Sequence, residues 1–250
     1  MTTSYGALCN DFYINQKLSL KMALPTDRET LLHFFDRLRK SDPTMDRFRR
    51  YDGEISLESA RNKEMQYRWV AMRETTIRSG HVNPQSMDKG FELHKLLLEM
   101  APFHLSISPL DVDHLEVTFG FDLECDGDQD QVVAEALFAD SPLAQITQVD
   151  GAKLLNAQPM VGMTLSKRGD LQAHFDVKTR RRGRRGSTKR SRSEPISIFL
   201  SVRQYGPINE VEDLPEILTM LAHHAETLAT DKLIPFLLTP ISRQIAGMSK

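Results

Sequence analysis

Apolar side chains recur at near-alternate positions over residues 14 to 24: Ile14, Leu18, Leu20, Met22 and Leu24, with Lys17, Ser19 and Lys21 between them. A period of two predicts a half-buried strand, and Pro25 ends it. Thr26 and Glu29 stand at capping-box spacing, and Leu31, Leu32, Phe34, Phe35 and Leu38 continue as the apolar stripe of a helix. Residues 47 to 51 and 54 to 58 flank Asp52-Gly53, which predicts a hairpin because a type I′ turn needs positive φ. Residues 65 to 78 predict one further strand, with Tyr67, Trp69 and Ala71 on one face and Val70 and Met72 on the other. Asn83-Pro84 breaks the chain, and residues 86 to 100 read as a helix with Phe91, Leu93, Leu96, Leu97 and Met100 on its core side.

A similar order then returns. Leu115, Val117, Phe119, Phe121 and Leu123 alternate as a strand, and Val132, Val133, Ala136 and Leu137 mark a helix. Residues 140 to 159 are irregular. Strands at 160–167 and 171–177 flank Arg168-Gly169-Asp170, and Ile196, Ile198, Leu200 and Val202 share one face of another. Asp213 and Glu216 can open a long helix carrying Leu214, Ile217, Leu218, Leu221 and Leu228. Both halves thus read β-α-β-β-β-α. The expected fold is α+β: two similar modules, at 10–101 and 112–236, each an antiparallel sheet covered by helices. A boundary is expected within residues 101 to 113, which contain Pro102 and Pro109. An apolar C-terminal arm at 237–250 completes the chain, preceded by Leu233, Ile234 and Phe236 and interrupted around Pro235 and Pro240. So much apolar surface is expected to pack on its own chain, or to join an oligomer or complex.

Charge changes this picture at one place. Residues 178–192 hold nine basic side chains in fifteen: Lys178, Arg180, Arg181, Arg182, Arg184, Arg185, Lys189, Arg190 and Arg192. None of the fifteen is acidic or apolar. The whole chain has a formal net charge of −2; without those nine, 23 Lys and Arg stand against 34 Asp and Glu, a net of −11. An acidic body therefore carries a basic loop, inserted at 178–193 between two strands of the second module. Half of its length, extended, reaches roughly 25 Å from the sheet. Such a tract serves as a solvated loop, a phosphate-binding loop for RNA or DNA, or a targeting or partner-docking peptide such as a nuclear localisation signal. It has no aromatic residue, so binding is expected to be independent of sequence; Phe199 and Tyr205 are the aromatic residues of the neighbouring strand.

The remaining candidate chemistry is thinner. Composition is that of a globular protein, 40% hydrophobic and 26% charged. Two cysteines, Cys9 and Cys125, make neither a disulfide framework nor a metal motif, and no cofactor or metal is expected. The Asp126, Asp128 and Asp130 run resembles the start of a calcium loop but has Gln131 and Leu137 where glycine and glutamate belong. His223 and His224 are adjacent and diverge on a helix. His174 and Asp176 share one face of a strand and could do acid–base work. No Walker, GxGxxG or GxSxG motif occurs. With no secretory signal or spanning segment, a cytoplasmic location without membrane association is expected. The expected function is a non-catalytic binding or assembly protein whose basic loop contacts nucleic acid or an acidic protein. The alternatives are an enzyme using His174, Asp176 or His223 between the modules, or a structural subunit of a larger complex.

Overall fold

A computed structural model describes residues 4–147, 149–179 and 195–248. After a 3-10 turn at Ser4–Ala7, the elements run β1 (Asp11–Leu20), α1 (Arg28–Ser41), β2 (Met45–Tyr51), β3 (Glu54–Ser59), β4 (Tyr67–Arg73), β5 (Thr76–Val82) and α2 (Met87–Leu105). The second half runs β6 (Val112–Leu123), α3 (Gln129–Phe138), α4 (Leu143–Thr147), β7 (Met160–Thr164), β8 (Leu171–Lys178), β9 (Ile196–Tyr205) and α5 (Leu214–Leu228). A π-helical segment (Ala229–Leu238) and α6 (Thr239–Met248) follow without a break.

The strands form one nine-stranded antiparallel sheet in the order β2-β3-β4-β5-β1-β6-β9-β8-β7. The two halves therefore share a sheet instead of building one each. Their junction is the ladder between the first strand of each half, from Asp11 opposite Asp122 to Leu18 opposite Leu115, which continues past a register shift to Leu20 opposite Val112. Both strands alternate apolar and polar along this length, so their buried sides meet as one continuous face. The helices cover that face, with α2 against β1 and β5 and α5 against β6 and β9. Phe12, Ile14, Phe119, Phe121, Ile198, Leu200, Leu97 and Leu221 are completely or almost completely buried between the layers. Tyr5 closes this core from the N-terminal turn, edge-on to Phe12 and Phe121. The helical layer stops short of β7, where Val161 and Met163 remain exposed.

Several local expectations change. The single strand at 65–78 is the β4–β5 hairpin, turning at Glu74 with φ +35. The first half thus has four strands after α1 and the second has three after its helices. Helix α1 is capped by Asp27, whose carboxylate accepts from the Thr30 N–H at 2.8 Å, in place of the Thr26–Glu29 box. Helix α2 continues through Pro102 into the expected boundary, because Ala101, Pro102 and Leu105 are buried there. Ser106, in the left-handed region at φ 55, ends it. Pro235 and Pro240 do deny the C-terminal segment one regular α-helix, and π-helical pitch intervenes. That segment packs on its own chain, with Leu233, Leu238 and Ile241 buried and α6 against α3.

Candidate functional site

Helices cover one face of the sheet, and strand register determines what the other face presents. One row across it runs Arg49, Ser56, Ala71, Arg78, Lys17, Glu116, Arg203, Gln172 and Thr164. The next runs Arg47, Glu58, Trp69, Gly80, Asn15, Thr118, Ser201, His174 and Gly162. A third runs Tyr67, Val82, Tyr13, Gly120, Phe199, Asp176 and Met160. A short last row holds Asp11, Asp122, Ser197 and Lys178. The middle rows thus hold aromatic, small and polar side chains, and the first row is mostly charged or polar.

Three of the aromatic side chains lie over glycines. Trp69 faces Gly80 across the ladder, Tyr13 faces Gly120, and His174 faces Gly162. A Cβ at any of these glycines would run into the ring opposite. The absent side chain lets each ring come down onto the backbone of the neighbouring strand. Tyr13 also meets Phe199 nearly edge-on, at 6.2 Å between centroids. The Arg78 guanidinium stands over the Trp69 ring at 5.8 Å, and Arg61 over Tyr67 at 5.6 Å.

The charges on this face balance. Arg78 pairs with Glu54, Arg203 with Glu116, Arg49 with Glu58 at 3.4 Å, and Lys178 with Asp176 at 2.7 Å. By register the face holds seven basic residues (Lys17, Arg47, Arg49, Arg73, Arg78, Lys178 and Arg203). Its acidic residues are six: Asp11, Glu54, Glu58, Glu116, Asp122 and Asp176. The acidic excess of the chain therefore resides on its helices and loops. The buried atoms Arg78 Nε, His114 Nε2, His174 Nδ1 and Asp176 Oδ1 have no hydrogen-bond partner among the described residues, and all four side chains belong to this face.

Of the nine basic residues nominated from sequence, Lys178 ends β8, and Arg180, Arg181, Arg182, Arg184, Arg185, Lys189, Arg190 and Arg192 lie outside the described residues. The strands on either side of the tract are neighbours, paired to the end, with Lys178 opposite Ser197. Thr179 is tied down beside them. Its hydroxyl donates to buried Asp130 at 2.7 Å, and Gln158 Nε2 donates to its carbonyl at 3.0 Å. Asp130 also accepts from the Ala157 N–H, and Asp128 caps α3, so two of the three aspartates of the calcium-like run have structural partners.

Of the residues nominated for catalysis, His174 and Asp176 share the open face, and His223 lies apart from them. His174 is on the open face, while His223 is exposed on α5, in the layer that covers the opposite face. The Asp176 carboxylate pairs with Lys178. Cys9 is held in its thiol form, its pKa pushed up to about 12 by burial and by the nearby Asp122 and Asp11 carboxylates. Among the described residues no three His, Cys, Asp or Glu side chains are grouped to hold a metal ion, and no helix is long and apolar enough to cross a membrane.

Sequence reading missed a buried polar cluster beneath α2. Ser79 donates to Gln16 Oε1 at 2.9 Å, which leaves His94 Nδ1, at 2.7 Å, as the donor to the Ser79 hydroxyl. Burial lowers the pKa of His94 to about 3. Burial, followed by the nearby Arg68 charge, lowers His81 to about 4. Ser79 and His94 have no exposed surface, so this serine–histidine pair is structural. A shallow cleft of about 430 Å³ between the end of β9 and α5, lined by Gln204, Ile208, Asp213 and Glu216 among others, gathers none of the nominated residues. No protein-family model matches the chain, and no curated protein matches it in sequence.

Proposed function

We propose that this chain is a non-catalytic binding protein whose arginine-rich tract contacts the phosphates of RNA or DNA. The observation that carries the reading is the tract itself: nine basic residues in fifteen, with no acidic or apolar one, between two paired strands. Guanidinium groups fork onto phosphate oxygens, and each neutralised phosphate releases condensed counterions. The balanced charge of the open face supports the same reading, because the surface from which the tract springs does not itself repel a polyanion. The related element order of the two halves is read as an internal duplication, with the tract an insertion confined to the second. Purification with and without nuclease treatment, of the full chain and of a variant lacking residues 179 to 193, tests this. Nuclease-sensitive material should travel with the full chain and be lost from the variant. Retention of an acidic protein, with no nucleic acid, would contradict it.

A further inference from the structure

We propose that the open face of the sheet is a stacking platform for the unpaired bases of a single strand, with Tyr13, Phe199 and Trp69 as its central rings. This rests on the nucleic-acid reading above and adds where the bases go and which form of nucleic acid is preferred. The tract has no aromatic residue and can hold only the backbone. The rings lie on the face where Lys178 and Ser197, the last paired residues before and after the tract, also point.

The geometry suits flat heterocycles. Trp69 and Tyr13 come down over Gly80 and Gly120, and both stay half-buried, so part of each ring remains open on this face. Phe199 is in the strand next to β6 and meets Tyr13 nearly edge-on, so the two rings are neighbours set at an angle, between which a base can lodge against one ring face. The Arg78 guanidinium, a planar group that itself stacks on bases, stands over the Trp69 ring. Around the rings, Asn15, Thr118 and Ser201 place an amide and two hydroxyls on the same row as Trp69. Thr118 and Ser201 already share a 2.7 Å hydrogen bond, and each hydroxyl keeps a further acceptor site. A nucleobase matches this combination, being a planar π-surface with a polar rim. A duplex keeps its base faces stacked inside and offers the sheet only its backbone and groove edges.

Trp69 is the only tryptophan, so its emission reports on the platform directly. The probes are a single strand of about twelve nucleotides, an abasic strand of equal length and charge, and a duplex of the same sequence. The single strand should quench Trp69 and bind about tenfold or more tighter than the abasic strand, which should leave the emission unchanged. Tyr13→Ala and Phe199→Ala should each weaken the single strand by about 5- to 100-fold and remove its advantage over the abasic strand. Phe199→Leu, which keeps apolar bulk without a π-face, should behave like the alanine variant. If a variant fails to fold, quenching in the unaltered protein still decides. Equal affinity for all three probes with unchanged Trp69 emission would overturn the platform and leave phosphate binding by the tract standing. Failure to bind any probe would overturn both.

Discussion

Acid should destabilise this protein well above the range in which carboxylates titrate, because two histidines are buried without charge. His94 and His81 have folded-state pKa values near 3 and 4, against 6.5 for the free side chain. Between those limits the unfolded chain binds protons that the folded one refuses, so stability falls as pH falls. At pH 5 an unfolded-state histidine is about 1.5 units below its pKa, which costs about 2 kcal/mol for each buried one. The pair together therefore removes about 4 kcal/mol of a total that for most domains is about 5–15 kcal/mol. His104, also lowered by partial burial, acts in the same direction, and Glu226, raised by burial, acts weakly against it. Asp27, Asp36, Asp42 and Asp170 all have lowered values, so their contribution is lost only below about pH 4. The interval from pH 7 to 5 thus isolates the histidines. Urea unfolding at pH 7.5, 6 and 5 measures the loss, with an unchanged m-value showing that the same two states are compared. His94→Gln should lower stability at pH 7.5 and take about half of the pH dependence with it. Equal stability at pH 7.5 and pH 5 would refute the reasoning.

Replacing residues 179 to 193 by a short glycine-containing turn should leave the melting temperature within a few degrees, because loop closure depends weakly on length; a collapse on calorimetry would show that the tract supports the fold. Truncation after Asp231 removes Leu233, Leu238 and Ile241, three buried side chains at about 1.5–3 kcal/mol each, so the shortened chain should unfold at much lower urea. Gly120→Ala should cost about 1–3 kcal/mol by overpacking and lift the Tyr13 ring, an outcome that denaturation and tyrosine NMR shifts together check. Gly80→Ala should shift the emission maximum of Trp69, and an unchanged spectrum would mean that the ring does not rest on that glycine.

The legible parts of this fold were those written in periodicity. Ile196, Ile198, Leu200 and Val202 announce β9 because one face is buried and the period is two, and Asp52-Gly53 announces its hairpin because φ must be positive. The β4–β5 turn was hidden. Glu74 and Thr75 carry no turn signature, and the residue forced to φ +35 is held there by pairing on either side. Gln16 interrupts the apolar side of β1, and only the distant Ser79, which donates to its Oε1, explains how its amide oxygen is buried. Periodicity does not state which strands pair, so the joining of two expected sheets through β1 and β6 could not be read. The tract was plain as charge. The platform left a fainter signal: Gly80, Gly120 and Gly162 lie within strands, where glycine marks a close approach, but the rings that approach are known only once the register is known.

The central claim is that the tract binds nucleic acid through its charge. Titrating a labelled single strand at several salt concentrations, with the unaltered chain and with Arg180, Arg181, Arg182, Arg184 and Arg185 all replaced by glutamine, tests it most directly. If about six basic residues engage, log affinity should fall with log salt at a slope of about −4 to −5. The glutamine variant should bind more weakly at every sequence and show a flatter slope. Equal, weak binding by the two proteins, with the same salt dependence, would contradict the account.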